Sequence, residues 1–585
     1  MILQALSSYY ERLRKDPDED VPEPGFSKEK IHFELVLSPD GKLRQVNNIQ
    51  VPTPKGKKLI PNIMSVPEPD KTRRGLNIAA NFAWDNTGYA LGADSQDKPE
   101  RLRAKFTAFL TLAHEVGDSV NDVGMRAVLA FLDAWNPEDA PQLDHWDELA
   151  GQNVVFRIDG ETQRVHESTA VRAAWLSRQN TSEAEGEAIC LISGERGPVA
   201  RLHPPIKGVY GQKNIGPLVG LNDNAYWSYG REQSFNAPTS ERAAFAYATA
   251  LNHLLAGSRQ KVQVGNATGI FWSEKPSQAE TLFSAFLDIK EESEDAHDTD
   301  LIQRLHELLE AVRDGKEPPL WGDEPKTPFY IMGLSPNAAR LSVRFWHVST
   351  VAAMAERLGQ HFLDLKIEKA FPKNPSFPSL WQLLIEIAPL RKTENIPSTL
   401  GGELMRAVIT GSAYPQSLLT RVIGRIRAEQ DVSYLKAALI KACFNRSSRL
   451  ANKKEDVTVA LDPTCENIGY LLGRLFAVLE KAQQDALPGI NATIKDRFFG
   501  AASATPRAVF PRLVRLAQHH ISKAEYGHVA DRLLAKVSEK IDACGVGFPA
   551  HLNLENQGMF ALGYYHQRND NYRKNEDKLD PIKEN

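Results

Sequence analysis

The stretch IHFELVLSPDGKLRQVNNIQV, residues 31–51, decides the architecture of the N-terminal part of the chain. Two β-prone runs flank Asp40-Gly41, a dipeptide that accepts the positive φ of a tight turn, so the segment is predicted as a β-hairpin. On its N-terminal side, Ile2, Leu3, Leu6, Tyr9, Tyr10 and Leu13 recur at helical spacing, and PDEDVPEPG then stops the helix. On its C-terminal side, residues 101–135 are apolar at three- and four-residue steps and read as helical, while NVVFRID (153–159) and EAICLIS (187–193) read as strands with a helix across 167–186. Strands alternating with helices define a mixed α/β body.

Further along, TPFYIMGL (327–334) and ARLSVRFWH (339–347) are predicted to pair as strands. Strict alternation puts Arg340, Ser342, Arg344 and Trp346 on one face and Leu341, Val343 and Phe345 on the other. Past about residue 350 the strand signal disappears. Residues 400–585 are predicted as a bundle of five to seven helices, with breaks near NKKEDV, LPG, AASATP and GVGFP. The fold class is therefore α+β: a mixed α/β N-terminal body with a C-terminal all-α helical bundle. The expected divisions are 1–265, a mixed 266–400 carrying an acidic linker and the strand pair, and 401–585.

The 585 residues carry 70 Lys plus Arg against 74 Asp plus Glu, a formal charge of −4 that by itself points away from nucleic acid. Regional counting reverses this. Residues 288–326 hold thirteen acids and five bases, net −8, and read as an exposed helix flanked by linkers. That block masks three basic patches: Lys55 to Arg74, Arg421 to Lys454, and Leu487 to Lys523. Such patches neutralise phosphates, although each can equally be a solvated helix face. The four cysteines, at 190, 443, 465 and 544, match neither a metal spacing nor a disulfide framework. With no signal peptide or apolar run of eighteen residues, a soluble cytoplasmic protein without a membrane partner is expected.

Signatures of catalysis are missing from the sequence. His114-Glu115 lacks the second histidine of H-E-x-x-H, His519-His520 diverge by about 100° on a helix, and GQKNIG (211–216) lacks the lysine and hydroxyl of a phosphate loop. No catalytic residue, metal site or cofactor is assigned. Residues 201–240 are a forty-residue loop rich in Gly, Pro, Asn and aromatics, and long loops of this kind are usually functional. One reading makes it the pocket of an intracellular enzyme. The other makes it nucleic-acid machinery. In PDKTRRGLNIAANFAWDNTGYALGAD (69–94), Lys71, Arg73 and Arg74 suit phosphate, and Asn77, Asn81 and Asn86 suit base edges. Asn81, Asp85 and Asn86 can instead cap and turn the backbone. The 201–240 loop adds Lys207, Lys213, Asn214, Asn222, Asn224, Tyr226, Tyr229, Arg231, Gln233 and Asn236.

Several blocks, in order, carry a resemblance: MILQALSSYYERL, NFAWDNTGYALG (81–92), CLISGERGPVARLHPPIKGV (190–209), SYGREQSFNAPTSERAAFAYATALNHLL (228–255) and FYIMGLSPNAARLSVRFW (329–346). Over essentially its full length the chain resembles the large subunit of the type I-C CRISPR surveillance complex, Cascade. The resemblance implies a non-catalytic subunit bound near the 5′ end of the crRNA. Such a subunit recognises the protospacer-adjacent motif in target double-stranded DNA, helps open the duplex, steers the displaced strand and helps recruit the helicase-nuclease. Repeated backbone subunits, a crRNA-processing subunit and a small subunit are the implied partners, and base pairing to the guide reads the remaining sequence. On this reading 1–265 is the motif-recognition domain. Motif recognition is assigned to Lys71, Arg73, Arg74, Asn77, Asn81, Asn86, Lys207, Lys213, Asn214, Asn222, Gln233 and Asn236. Backbone or displaced-strand contact is assigned to Arg340, Arg344, Lys495, Arg497, Arg507, Arg512 and Arg515. The end of the chain, about 457–585, resembles the small subunit, which type I-C systems make from an internal start. Because no methionine lies between Met405 and Met559, such a start here is expected at Val457 or Val459.

Overall fold

A computed structural model describes residues 1–585 except 18, 20, 54–58, 70–76, 182–186, 214, 222, 258, 265–266, 288–302, 305, 309, 313, 315, 318, 320–321, 338–339, 398, 454–456, 546 and 574–585. The chain forms two compact units. The first comprises Met1–Pro205 and Val219–His253, the second Ile206–Leu218 and Leu254–Asn585. No described helix is long and apolar enough to cross a membrane.

In the first unit the predicted hairpin forms: Phe33–Leu37 pairs antiparallel with Leu43–Asn48. Gly41 sits at its turn with φ +82°, and a Cβ there would lie 2.7 Å from Ala130 Cβ, so both conformation and space require glycine. Phe33–Leu37 also pairs parallel with Asn153–Ile158, which pairs antiparallel with Trp84–Asn86, giving a four-stranded sheet. A parallel pair needs a long crossover. Helices Pro99–Gly117 and Val123–Ala134 lie within it and bury Phe109, Val128 and Phe131 with the sheet's Phe33, Leu35 and Phe156. On the sheet, buried Glu34 is held between Arg157, at 2.7 Å, and Arg164, at 3.0 Å. A separate ribbon pairs Phe26–Ile31 with Asn62–Pro67. The N-terminal helix Ile2–Lys15 packs on helix Glu241–Ala256, with Tyr10 edge-on to Phe245.

The second unit opens with a four-stranded antiparallel sheet in the order Lys261–Val264, Ala267–Ser273, Pro328–Asn337, Arg340–Thr350. The strand pair forms as predicted, but its register skips Arg344: Leu334 pairs with Val343 and Gly333 with Phe345. This bulge breaks the alternation expected to align residues 340, 342, 344 and 346. The acidic segment is not wholly solvated either. Leu308 is fully buried, against Gly359 of helix Val351–Leu365. Among the described residues, eight helices follow from Leu400 to Tyr572, more than the five to seven expected. At their centre, helix Ile468–Ala486 is buried on nearly every side. It meets helix Leu554–Tyr572 backbone to backbone, since a Cβ on Gly473 would stand 2.0 Å from Phe560 O and one on Gly563 2.1 Å from Tyr470 O.

Candidate nucleic-acid interface

Three of the predicted motif-reading residues, Lys71, Arg73 and Arg74, lie outside the described residues, as do Asn214 and Asn222. Asn77 is exposed. Asn81 is buried, and its backbone N–H donates to Asp85 Oδ2 at 2.9 Å, while Asn86 N–H donates to Asp85 Oδ1 at 2.7 Å. Buried Asp85 therefore organises the 81–86 turn, and a base contact from Asn81 requires that turn to open. The Oδ1 atoms of Asn81 and Asn86 are themselves buried with no hydrogen-bond partner among the described residues. Lys207 and Lys213, both exposed, belong to the second unit, where Tyr210 N–H donates to Thr268 Oγ1 at 2.8 Å.

The rest of the long loop belongs to the first unit and is anchored at its base. His203 Nδ1 lies 2.6 Å from the Tyr247 hydroxyl, and burial lowers the histidine's pKa to about 4, so the ring is neutral near pH 7. Asn236 holds the loop closed: its Oδ1 accepts from Ser228 N–H at 3.0 Å, and its Nδ2 donates to Arg231 O at 2.8 Å and Gln233 O at 3.0 Å. Gln233 Oε1 accepts from Arg201 Nη1 at 3.1 Å. Both amides thus make contacts within the loop, and together they shape a tip in which Tyr226, Trp227, Tyr229 and Arg231 face solvent. Tyr229 occupies the left-handed region at φ +54°, followed by Gly230 at +68°.

Next to the loop, Cys190 Sγ accepts from Ser240 N–H at 3.2 Å and Ile192 N–H at 3.4 Å. Burial raises the thiol's pKa, but hydrogen bonds from Ser240 and Ser193 outweigh it and bring it to about 7. The thiol is closed off from solvent, with its residue 1% exposed.

In the second unit, the Arg344 guanidinium donates to Ser335 Oγ on the neighbouring strand, and Arg340 is exposed near the hairpin's end. Helices Ile494–Ala504 and Pro506–Ile521 carry the remaining assigned cations. Lys495 pairs with Asp431 at 3.5 Å, Arg507 Nε donates to Phe548 O at 3.2 Å, and the Arg512 guanidinium lies 5.5 Å from the centre of the Phe498 ring. Arg497, Arg512 and Arg515 are exposed, and Arg512 and Arg515 share one helix face at i, i+3.

The Arg421 to Lys454 patch has another character. Lys436, Lys441 and Arg446 are buried. Arg446 Nε donates to Asp364 Oδ2 at 2.7 Å, Arg449 Nη1 donates to Asp364 Oδ1 at 2.8 Å, and Arg446 lies 4.1 Å from the centre of the Tyr414 ring. These buried charges stitch the helical core, while Arg421, Arg427 and Lys453 of the same patch are exposed, as are Arg497, Arg512 and Arg515 in the 494–523 region. Among the described residues no group of three or more His, Cys, Asp or Glu is arranged to hold a metal ion.

No curated protein matches the chain. The model of the CRISPR-associated protein family Cas_Csd1 matches residues 6–572. That span takes in the anchored loop, the 328–350 hairpin and the basic helices alike, and on it the chain belongs to the Cas_Csd1 family of CRISPR-associated proteins.

Proposed function

We propose that the chain is the non-catalytic large subunit of a type I-C RNA-guided DNA-surveillance complex. In this reading it recognises a protospacer-adjacent motif in double-stranded DNA and helps open the duplex. It then holds the displaced strand and helps recruit the helicase-nuclease. The observation that carries the reading is the exposure of Arg497, Arg512 and Arg515 on two successive helices of a CRISPR-associated chain. Unneutralised guanidiniums on a helix face release counterions from a phosphate backbone and bind it without regard to sequence. Reading of the motif falls to the 71–86 and 207–236 segments, whose Asn, Gln and Lys side chains carry the donors and acceptors that base edges require. Guide pairing then supplies the remaining specificity.

Gel-shift binding of the assembled complex to duplexes with and without the adjacent motif tests this. The complex is expected to favour the motif-bearing duplex, and Lys71→Ala, Asn81→Ala and Lys213→Ala to erode that preference. Equal binding of both duplexes by the parent complex overturns the function. Retained discrimination in all three variants overturns the site.

A further inference from the structure

The anchored loop presents a chemistry that base-edge reading leaves unused. Tyr229 is 100% exposed, and Tyr226 and Trp227 beside it are 39% and 41% exposed. A tyrosine in the left-handed region is held there against its own backbone preference. The hold comes from the Ser228–Arg231 bridge and from Asn236, whose amide closes the turn from both sides. The structure therefore maintains an unfavourable local conformation whose visible result is an aromatic ring standing clear of the surface.

We propose that the 226–231 tip is a stacking platform for unpaired nucleobases, with Tyr229 as the ring that lies against a base; the proposal rests on the nucleic-acid reading above. Every base has a flat π-face, and an aromatic side chain stacks on it whatever the sequence. Inside a duplex those faces are covered by neighbouring base pairs, so the platform engages DNA only where it has opened. Arg231, exposed beside the rings, adds a cation that can stack on a base or meet a phosphate. Between Asn222 and Asn236 the sequence has no Leu, Ile, Val or Met. The tip's apolar surface is therefore made of flat rings, and it is only a single tight turn wide.

The test uses the purified full-length chain and two labelled single strands of equal length, one a thymine tract and one lacking bases, so that phosphate contacts are common to both. The parent is expected to bind the base-bearing strand more tightly, and Tyr229→Ala to remove roughly 5- to 100-fold of that advantage. Tyr229→Phe should keep it, because stacking needs the ring and not the hydroxyl. Tyr229→Ala together with Trp227→Ala should bring the two strands level. An unchanged ratio in the double variant overturns the proposal, as does loss of a co-purifying protein partner with the ratio intact. Motif discrimination by the assembled complex is measured separately. Its absence in the parent undermines the proposed function, whereas its presence with an unchanged strand ratio sinks the stacking platform alone.

Discussion

Replacing Arg497, Arg512 and Arg515 together with glutamine removes three exposed cations from helices Ile494–Ala504 and Pro506–Ile521 while leaving the buried faces of both helices intact. If each guanidinium neutralises one phosphate of a single strand, each contributes about 0.7 to the slope of log affinity against log salt, so the slope falls by about 2. A duplex backbone would raise the change to nearly 3, at about 0.9 per contact. Over a fourfold rise from about 50 to about 200 mM salt, a slope reduced by about 2 spares the variant roughly 16-fold of the affinity the parent loses. Gel shifts across a salt series, using motif-bearing and motif-free duplexes, give both numbers. The loss at low salt should be similar for the two duplexes, because phosphate contacts carry no sequence information. A slope within about 0.5 of the parent's refutes the assignment, and so does a loss confined to the motif-bearing duplex.

Two further predictions concern the units themselves. Asp364→Ala strands Arg446, which is 1% exposed, as an unpaired buried charge and should cost about 3–5 kcal/mol; thermal unfolding of the second unit should drop by about 4–7 °C, with part of the loss recovered by adding Arg446→Met, and a shift under about 2 °C would contradict the role given to this pair. In the first unit, hydrogen bonds to Asp118 and Asp133 raise the pKa of His114 above its ordinary 6.5, so its stabilising contribution is full below about 6.5 and disappears as pH rises through the folded value. His114→Gln should therefore flatten the decline in melting temperature between about pH 6 and about pH 8.5, and identical pH profiles for variant and parent would remove the effect.

The hairpin around Gly41 was legible because one dipeptide fixes the turn between two β-prone runs. The alternating helices of the first unit and the C-terminal bundle were legible from periodicity. Ala267–Ser273 was not, for it is buried at all seven positions, so its two faces show no polar alternation. EAICLIS read as a seven-residue strand, yet pairing stops at Ile189, where the chain turns so that backbone N–H groups can reach the Cys190 sulfur. Charge counting found the Leu487 to Lys523 patch but gave equal standing to the Arg421 to Lys454 patch, which contains Lys436 and Arg446, whose burial depends on partners far along the chain. Asp364 is 82 residues from Arg446, a distance that no local window senses. At the candidate site, the density of Gly, Pro, Asn and aromatics over 201–240 marked the loop as functional. That Asn236 secures an exposed Tyr229 depends on three hydrogen bonds that spacing alone does not disclose.

The crossing of Ile468–Ala486 with Leu554–Tyr572 also orders events in time. Synthesis at roughly 5–20 residues per second leaves the central helix outside the ribosome for several seconds before its closest neighbour emerges. Through that interval the small-residue groove at Gly469 and Gly473 lies open, awaiting the helix whose Asn556 and Phe560 carbonyls lie against those two glycines and whose own Gly563 lies against the Tyr470 carbonyl. Completion of this core is thereby tied to translation of the final helix. A chain stopped short of Leu554 would keep an apolar seam permanently uncovered, which a cell disposes of as it does any misfolded protein.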